Sequence, residues 1–184
     1  MSQQSDKRER LVAAAKELFH RQGYALTTLA DIAKVSEVPP GNVYYYFKTK
    51  DEIGVAVIDD LTQWFQQKMD GWEQNTDPRQ RLLEFLEMPL SMKEILAQRG
   101  CPVGGLAQEL NKVDSLLTKK IAKLLNMQIE WVTQQYDLMG EETPAEEAQV
   151  FISLLQGSIL LSNTMADPNV LEHHISRMRR ALGS

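Results

Sequence analysis

Three times in this 184-residue chain an aspartate or threonine stands directly before a proline: Asp77-Pro78, Thr143-Pro144 and Asp167-Pro168. That pairing is the sequence form of a helix start. The short side chain accepts from an otherwise unpaired amide, and proline takes the first helical position, where its missing N–H costs nothing. Two further starts follow the same logic. Thr28 precedes Leu29, Ile32 and Ala33, and Thr49-Lys50-Asp51-Glu52 reads as a capping box. Between the starts, residues recur at helical spacing. Leu11, Ala14, Ala15, Leu18 and Phe19 share a face until Gly23. Ile53, Val57, Leu61, Trp64, Phe65, Lys68 and Trp72 form one long stripe. Ile121, Leu124, Leu125, Ile129 and Val132 form another, with Asp114 as a candidate cap and Gly140 beyond its end. No segment alternates as a strand does. The expected fold is all-α: three short helices, then about six longer ones, with a module boundary at Thr49 that separates residues 1–50 from 51–184.

Charge is spread unevenly over these modules. The net charge is −5, yet residues 1–53 hold eight Lys/Arg and seven Asp/Glu, leaving twelve and eighteen for the remainder. The longest charge-free run, from Ala148 to Ala166, has the length of a membrane span. Its Gln149, Ser153, Gln156, Ser158, Ser162, Asn163 and Thr164 are too polar for a lone span and point to a buried helix. Cys101 is the single cysteine, so no intrachain disulfide framework exists, and MSQQSDKRER lacks the apolar core of a signal peptide. Both observations point to the cytoplasm. Enzyme motifs are missing: there is no G-x-S-x-G, no H-E-x-x-H and no phosphate-binding glycine loop. His173 and His174 point about 100° apart on a helix and make a poor metal pair. Neither a metal nor a cofactor is expected.

The most informative stretch is Val38-Pro39-Pro40-Gly41-Asn42-Val43-Tyr44-Tyr45-Tyr46-Phe47. On a helix, at about 100° per residue, Val43 and Phe47 share the inward face. Gly41, Tyr45 and Lys48 then point away, with Asn42, Tyr44 and Tyr46 on the flanks. Tyrosine suits a surface that meets phosphate and sugar, because its ring packs and its hydroxyl donates. A short capped helix, a four-residue turn and a second short helix with polar aromatics outside form a helix-turn-helix pattern. A helical module that uses the same tyrosines to bind protein is the competing reading; salt-dependent binding to a palindromic duplex separates the two.

From Leu11 to Ile53 the chain resembles the DNA-binding domain of the TetR family of bacterial transcriptional regulators. The residues that carry the likeness are Ala14, Leu18, Phe19, Gly23-Tyr24, Thr27-Thr28, Asp31-Ile32-Ala33, Val38, Gly41 to Phe47 and Lys50 to Ile53. The remainder resembles the family in length, helical pattern and a final pair of helices. The resemblance implies a DNA surface made of Thr27, Thr28, Pro40, Gly41, Asn42, Tyr44, Tyr45, Tyr46, Lys48 and Lys50. Asn42 and Tyr45 are the candidates for base readout, and Thr28, Tyr44 and Lys50 for phosphate. Two residues depart from the family pattern. Glu37 stands where a turn glycine is usual, and Pro39 stands where a capping serine is frequent.

The helix from Pro144 is apolar nearly all round, which calls for a second cover. The simplest cover is the same helix of another chain, with Phe151, Leu154, Leu155, Gly157, Ser158, Leu161, Ile175 and Met178 at the interface. The resemblance implies such a homodimer, which places two recognition helices about 34 Å apart on a palindromic operator. It also implies a small-molecule effector in the larger module. Trp64, Met88, Met92, Cys101 and Trp131 are the candidate residues for an apolar or aromatic ligand. Alternatively, Cys101, in Gly100-Cys101-Pro102, is a thiol sensor of oxidants or electrophiles. Core packing is the competing explanation for each of these five.

Overall fold

The computed structural model describes residues 3–111 and 115–183, with side chains from residue 6 onward. Among them are ten α-helices and no strand. The chain divides into two compact units, Met1–Trp64 with Gly105–Leu124, and Phe65–Gly104 with Leu125–Ser184. This partition by packing differs from the functional one expected at residue 50. The start of the fourth helix and a returning segment add Ile53, Val57, Leu106 and Ile121 to the buried residues of the first unit. Of the first three helices, all expected to be short, the first runs to 20 residues, while the second and third have 8 and 7.

In the first unit, α1 (Gln3–Gln22) packs on α2 (Leu29–Ser36), and α2 on α3 (Pro40–Tyr46). Leu11, Ala15, Leu18, Ile32 and Ala33 are buried on the facing sides. Gly23 ends α1 with φ +87°, a conformation that favours glycine. The unit is completed by the first part of α4 (Lys50–Trp72), by the second half of α7 (Pro102–Leu110) and by the start of α8 (Leu116–Leu138). The expected capping box of α4 forms in a shifted register. Thr49 Oγ1 accepts from the Glu52 amide, but the Glu52 carboxylate reaches back to the Lys48 amide. Asp114, expected to cap α8, lies outside the described residues.

In the second unit, α5 (Pro78–Ser91), α6 (Lys93–Arg99), α9 (Pro144–Met165) and α10 (Pro168–Ala181) surround Leu82, Phe85, Leu86, Leu155, Leu171 and Ile175. The Asp77 and Asp167 carboxylates accept from the amides of Arg79 and Asn169, as the Asp-Pro pairs predict. Thr143 makes no side-chain cap bond, so only its proline marks that start. Pro89 lies inside α5, which stops at Ser91; Met92 separates it from α6. An aromatic cluster fills the centre: Phe85 stacks on Trp131 at 6.0 Å, Trp72 lies 5.3 Å and 5.4 Å from the two, and Phe151 meets Phe85 edge-on at 5.8 Å.

Candidate nucleic-acid interface

The entry to the helix-turn-helix is a reciprocal cap. Thr28 Oγ1 accepts from the Asp31 amide, and the Asp31 carboxylate accepts from both the hydroxyl and the amide of Thr28. These bonds, the hydroxyl first, hold the Asp31 carboxyl below the usual carboxylate range. At the far end of α2, Glu37 is left-handed, with φ 55° and ψ 28°. Its amide donates to the Lys34 carbonyl at 3.4 Å and the Val38 amide to the Ala33 carbonyl at 3.2 Å. This is the Schellman arrangement that normally takes glycine at the left-handed position. Arg10 reaches across from α1 to meet the turn. Its guanidinium donates to the Ser36 carbonyl and lies 3.5 Å from the Glu37 carboxylate.

The turn delivers α3 with the orientation that the spacing requires. Val43 and Phe47 are buried, and the guanidinium of Arg8 lies 5.2 Å from the Phe47 ring centroid. Pro39 supplies no side-chain cap; its carbonyl accepts from the Asn42 amide at 2.8 Å. Tyr44 and Tyr45 are 55% and 66% exposed, large values for tyrosine in a helix, while Tyr46 is half-buried with its ring edge-on to Tyr45. Pro40, Gly41, Lys48 and Thr28 are exposed and Asn42 is partly so. A Cβ added to Gly41 would meet nothing within 4 Å, so this corner is open to a close partner.

Three of the anticipated contact residues have other engagements. Thr27 is fully buried, and its hydroxyl donates to the Gly23 carbonyl, so it holds the α1–α2 loop and faces no ligand. Lys50 Nζ donates to the carbonyls of Tyr24 and Ala25 and lies 4.5 Å from the Tyr24 ring centroid. It is a structural clamp, which removes it from the phosphate candidates. Lys48 Nζ folds back onto the Tyr44 carbonyl and remains exposed. The loop is gripped from its other side by Glu109 of α7. Its carboxylate oxygens accept from the Tyr24 amide at 3.1 Å and the Ala25 amide at 2.9 Å. The Tyr24 phenol donates to Asp51, and burial followed by that bond raises its pKa. Arg8, Arg10 and Glu109 carried no signal in the sequence, because their partners lie far away in it.

On α9 and α10, the residues anticipated at an interface divide in two. Phe151, Leu155, Ile175 and Met178 are buried in the core of their own unit and are not available to a partner. Ser158 is buried too, its hydroxyl donating to the Leu154 carbonyl. The outer stripe is Val150, Leu154, Gly157, Leu161 and Met165, all within about 80° of one another on the helix. Leu154 and Leu161 are 51% and 48% exposed, and a Cβ on Gly157 would meet nothing within 4 Å. Val150, Leu160 and Met165 join the exposed apolar set that the sequence reading had not assigned to an interface.

The five effector candidates are spread over different surroundings. Neither of two clefts in the second unit, lined by α9 residues, includes any of them. Trp131 is locked in the aromatic cluster, its indole N–H donating to Glu73 at 2.9 Å. Met88 and Cys101 pack partly buried against the core, Met92 is exposed at the α5–α6 junction, and Trp64 falls in the other compact unit. The Gly104 amide, in the first turn of α7, points at Cys101 Sγ at 3.3 Å. Among the described residues no cluster of potential metal ligands occurs.

Comparison with known proteins agrees with this geometry. Residues 11–57 match the family described as bacterial regulatory proteins, tetR family. An HTH-type transcriptional regulator of Lactococcus lactis subsp. lactis, named from the lacX 3' region, is 30% identical over 182 residues, covering 94% of this chain and 91% of that protein. The HTH-type transcriptional regulator LmrA of Bacillus subtilis is also 30% identical over 182 residues, covering 91% and 92%. The crystal structure of a TetR transcriptional regulator from Legionella pneumophila superposes with a TM-score of 0.84 at 23% identity, covering 94% of this chain and 95% of that one.

Proposed function

The chain belongs to the TetR family of bacterial regulatory proteins, and from that premise we propose that it represses transcription by binding a palindromic operator as a homodimer until a small apolar or aromatic effector releases it. In this reading residues 1–50 are the DNA-reading module and 51–184 the module for effector binding and dimerisation. The single observation that carries it is α3: two buried anchors, Val43 and Phe47, turn Gly41, Tyr44 and Tyr45 outward from a helix-turn-helix. Asn42 and Tyr45 read bases, while Thr28, Tyr44 and Lys48 meet phosphates. The exposed α9 stripe pairs with its symmetry copy, which sets two α3 helices about 34 Å apart. A cytoplasmic location follows from DNA binding; among the described residues no helix is long and apolar enough to cross a membrane.

The test is selection of bound duplexes from a random pool, then gel-shift titration on the selected site with and without a small-molecule library. Tyr45→Ala weakens specific binding by about 1–3 kcal/mol while leaving non-specific binding nearly intact. Unchanged affinity removes Tyr45 from the reading surface, and failure to select any site overturns the proposal.

The Gly104 amide aimed at Cys101 Sγ supports a second reading, in which an oxidant or electrophile acts at this thiol to release the operator. Cys101→Ser then abolishes release by quinone or hypochlorite, and an unaltered response in the variant refutes it.

A further inference from the structure

The turn between α2 and α3 is held by more than its own backbone. Ser36 ends α2 and is buried, and its carbonyl is one of those a helix leaves without an intrahelical partner at its C-terminus. Arg10 of α1 supplies the partner. Its Nη2 donates to the Ser36 carbonyl and lies 3.5 Å from the Glu37 carboxylate, and its Nη1 lies 4.0 Å from Asp6. A cation at this end of a helix is also favoured by the helix dipole. Glu37 follows with φ 55°, a conformation in which any side chain crowds the next carbonyl. Arg10 touches both sides of the bond about which that φ rotates: the carbonyl before it and the side chain after it. Val38 is buried and α3 begins at Pro40, so a rotation at Glu37 passes directly into the direction of α3.

We propose that Arg10 is a positioning residue for operator reading: it locks the Glu37 turn and thereby fixes the angle at which α3 meets the duplex. The inference rests on the operator binding proposed for this chain. The rival role for such an arginine is direct phosphate contact, but a carbonyl and two carboxylates already meet its guanidinium.

Gel-shift titration of the full chain over a salt series, on a selected duplex and on one of scrambled sequence, tests it. Arg10→Met lowers affinity for the selected duplex about tenfold and for the scrambled one less than about twofold, with the parent's salt slope, because no phosphate contact is lost. Arg10→Lys keeps a donor and the charge and loses about threefold or less. In a Glu37→Gly background, where glycine adopts the left-handed turn unaided, Arg10→Met costs about twofold or less. Without DNA, exchange of the Val38 amide, which donates to the Ala33 carbonyl across the turn, quickens about tenfold in Arg10→Met. A circular-dichroism melt checks that each variant is folded. Equal loss on both duplexes with a salt slope shallower by about one makes Arg10 a phosphate contact and overturns the proposal. So does a full loss in the Glu37→Gly background, or Val38 exchange within about twofold of the parent. A parent chain that selects no duplex refutes operator binding and this inference with it; a parent and an Arg10→Met variant that bind the selected duplex equally refute the inference alone.

Discussion

Replacing Glu109 with alanine loosens the corner that carries the helix-turn-helix. Its two carboxylate oxygens hold the amides of Tyr24 and Ala25, and Lys50 holds the carbonyls of the same two residues. This short loop is thus gripped on all four backbone groups by two side chains of opposite charge. A hydrogen bond to a charged group contributes about 1.5–3 kcal/mol when shielded and less when water can replace it. The Tyr24 bond is part-buried and the Ala25 bond exposed, so about 1.5 and about 0.5 kcal/mol are reasonable shares, roughly 2 kcal/mol together. Hydrogen exchange of these amides therefore quickens about thirtyfold in Glu109→Ala, at 1.4 kcal/mol per factor of ten. Glu109→Gln keeps one acceptor oxygen and places a donor against the other amide, so one of the two amides quickens and the other stays protected. The assay is amide exchange followed by NMR, with a urea melt confirming that the variant remains folded. If both amides exchange in Glu109→Ala within twofold of the parent rate, the clamp is not holding the loop.

The remaining predictions concern the turn, the cap and the α9 face. Glu37→Gly relieves about 1–2 kcal/mol of left-handed strain but adds about 0.4–1 kcal/mol of unfolded-state entropy and loses a weak surface pair, so stability is unchanged or up to about 1 kcal/mol higher. Glu37→Val, branched at a positive φ, lowers the urea midpoint; a Val variant as stable as the parent would contradict the left-handed turn. Asp31 has a folded pKa below its unfolded value near 3.9, so its contribution is present above that pH and is lost as pH falls through the folded pKa. Asp31→Asn flattens this part of the acid limb in a pH series of urea melts, whereas an identical limb denies the cap its role. Leu154→Glu, on an exposed position, shifts sedimentation from dimer to monomer without unfolding the chain, and persistence of the dimer moves the interface elsewhere.

What the sequence disclosed and what it concealed separate by range. The Thr28 cap, the Asp-Pro starts and the inward pair Val43 and Phe47 depend on neighbours within one or two turns, and these were legible as spacing. Even the left-handed turn could be anticipated, because Glu37 occupies a slot that the family pattern gives to glycine. Lys50 and Glu109 were not legible in the same way. Lys50 looked like a phosphate contact because a lysine after a recognition helix has that chemistry; only folding brings the Tyr24 and Ala25 carbonyls to it. Glu109 meets amides 85 and 84 residues away, and no periodicity links them.

Helix α9 shows why the inference of a second cover does not by itself assign the residues beneath it. An all-round apolar helix tells how many faces need covering but not which face the chain covers itself. That choice is made by the elements of its own unit: α6 and α10 pack against α9, Phe85 of α5 and Tyr136 of α8 meet Phe151, and Phe151, Leu155 and Ile159 enter the core. The stripe from Val150 to Met165 is the remainder. Its exposed leucines flank an open glycine, which lets a second backbone approach closely, as symmetric helix pairing requires. In the proposed homodimer a partner copy would meet a surface defined by what intramolecular packing left over, so mutations at Leu154 or Leu161 test association while those at Phe151 or Leu155 test only folding.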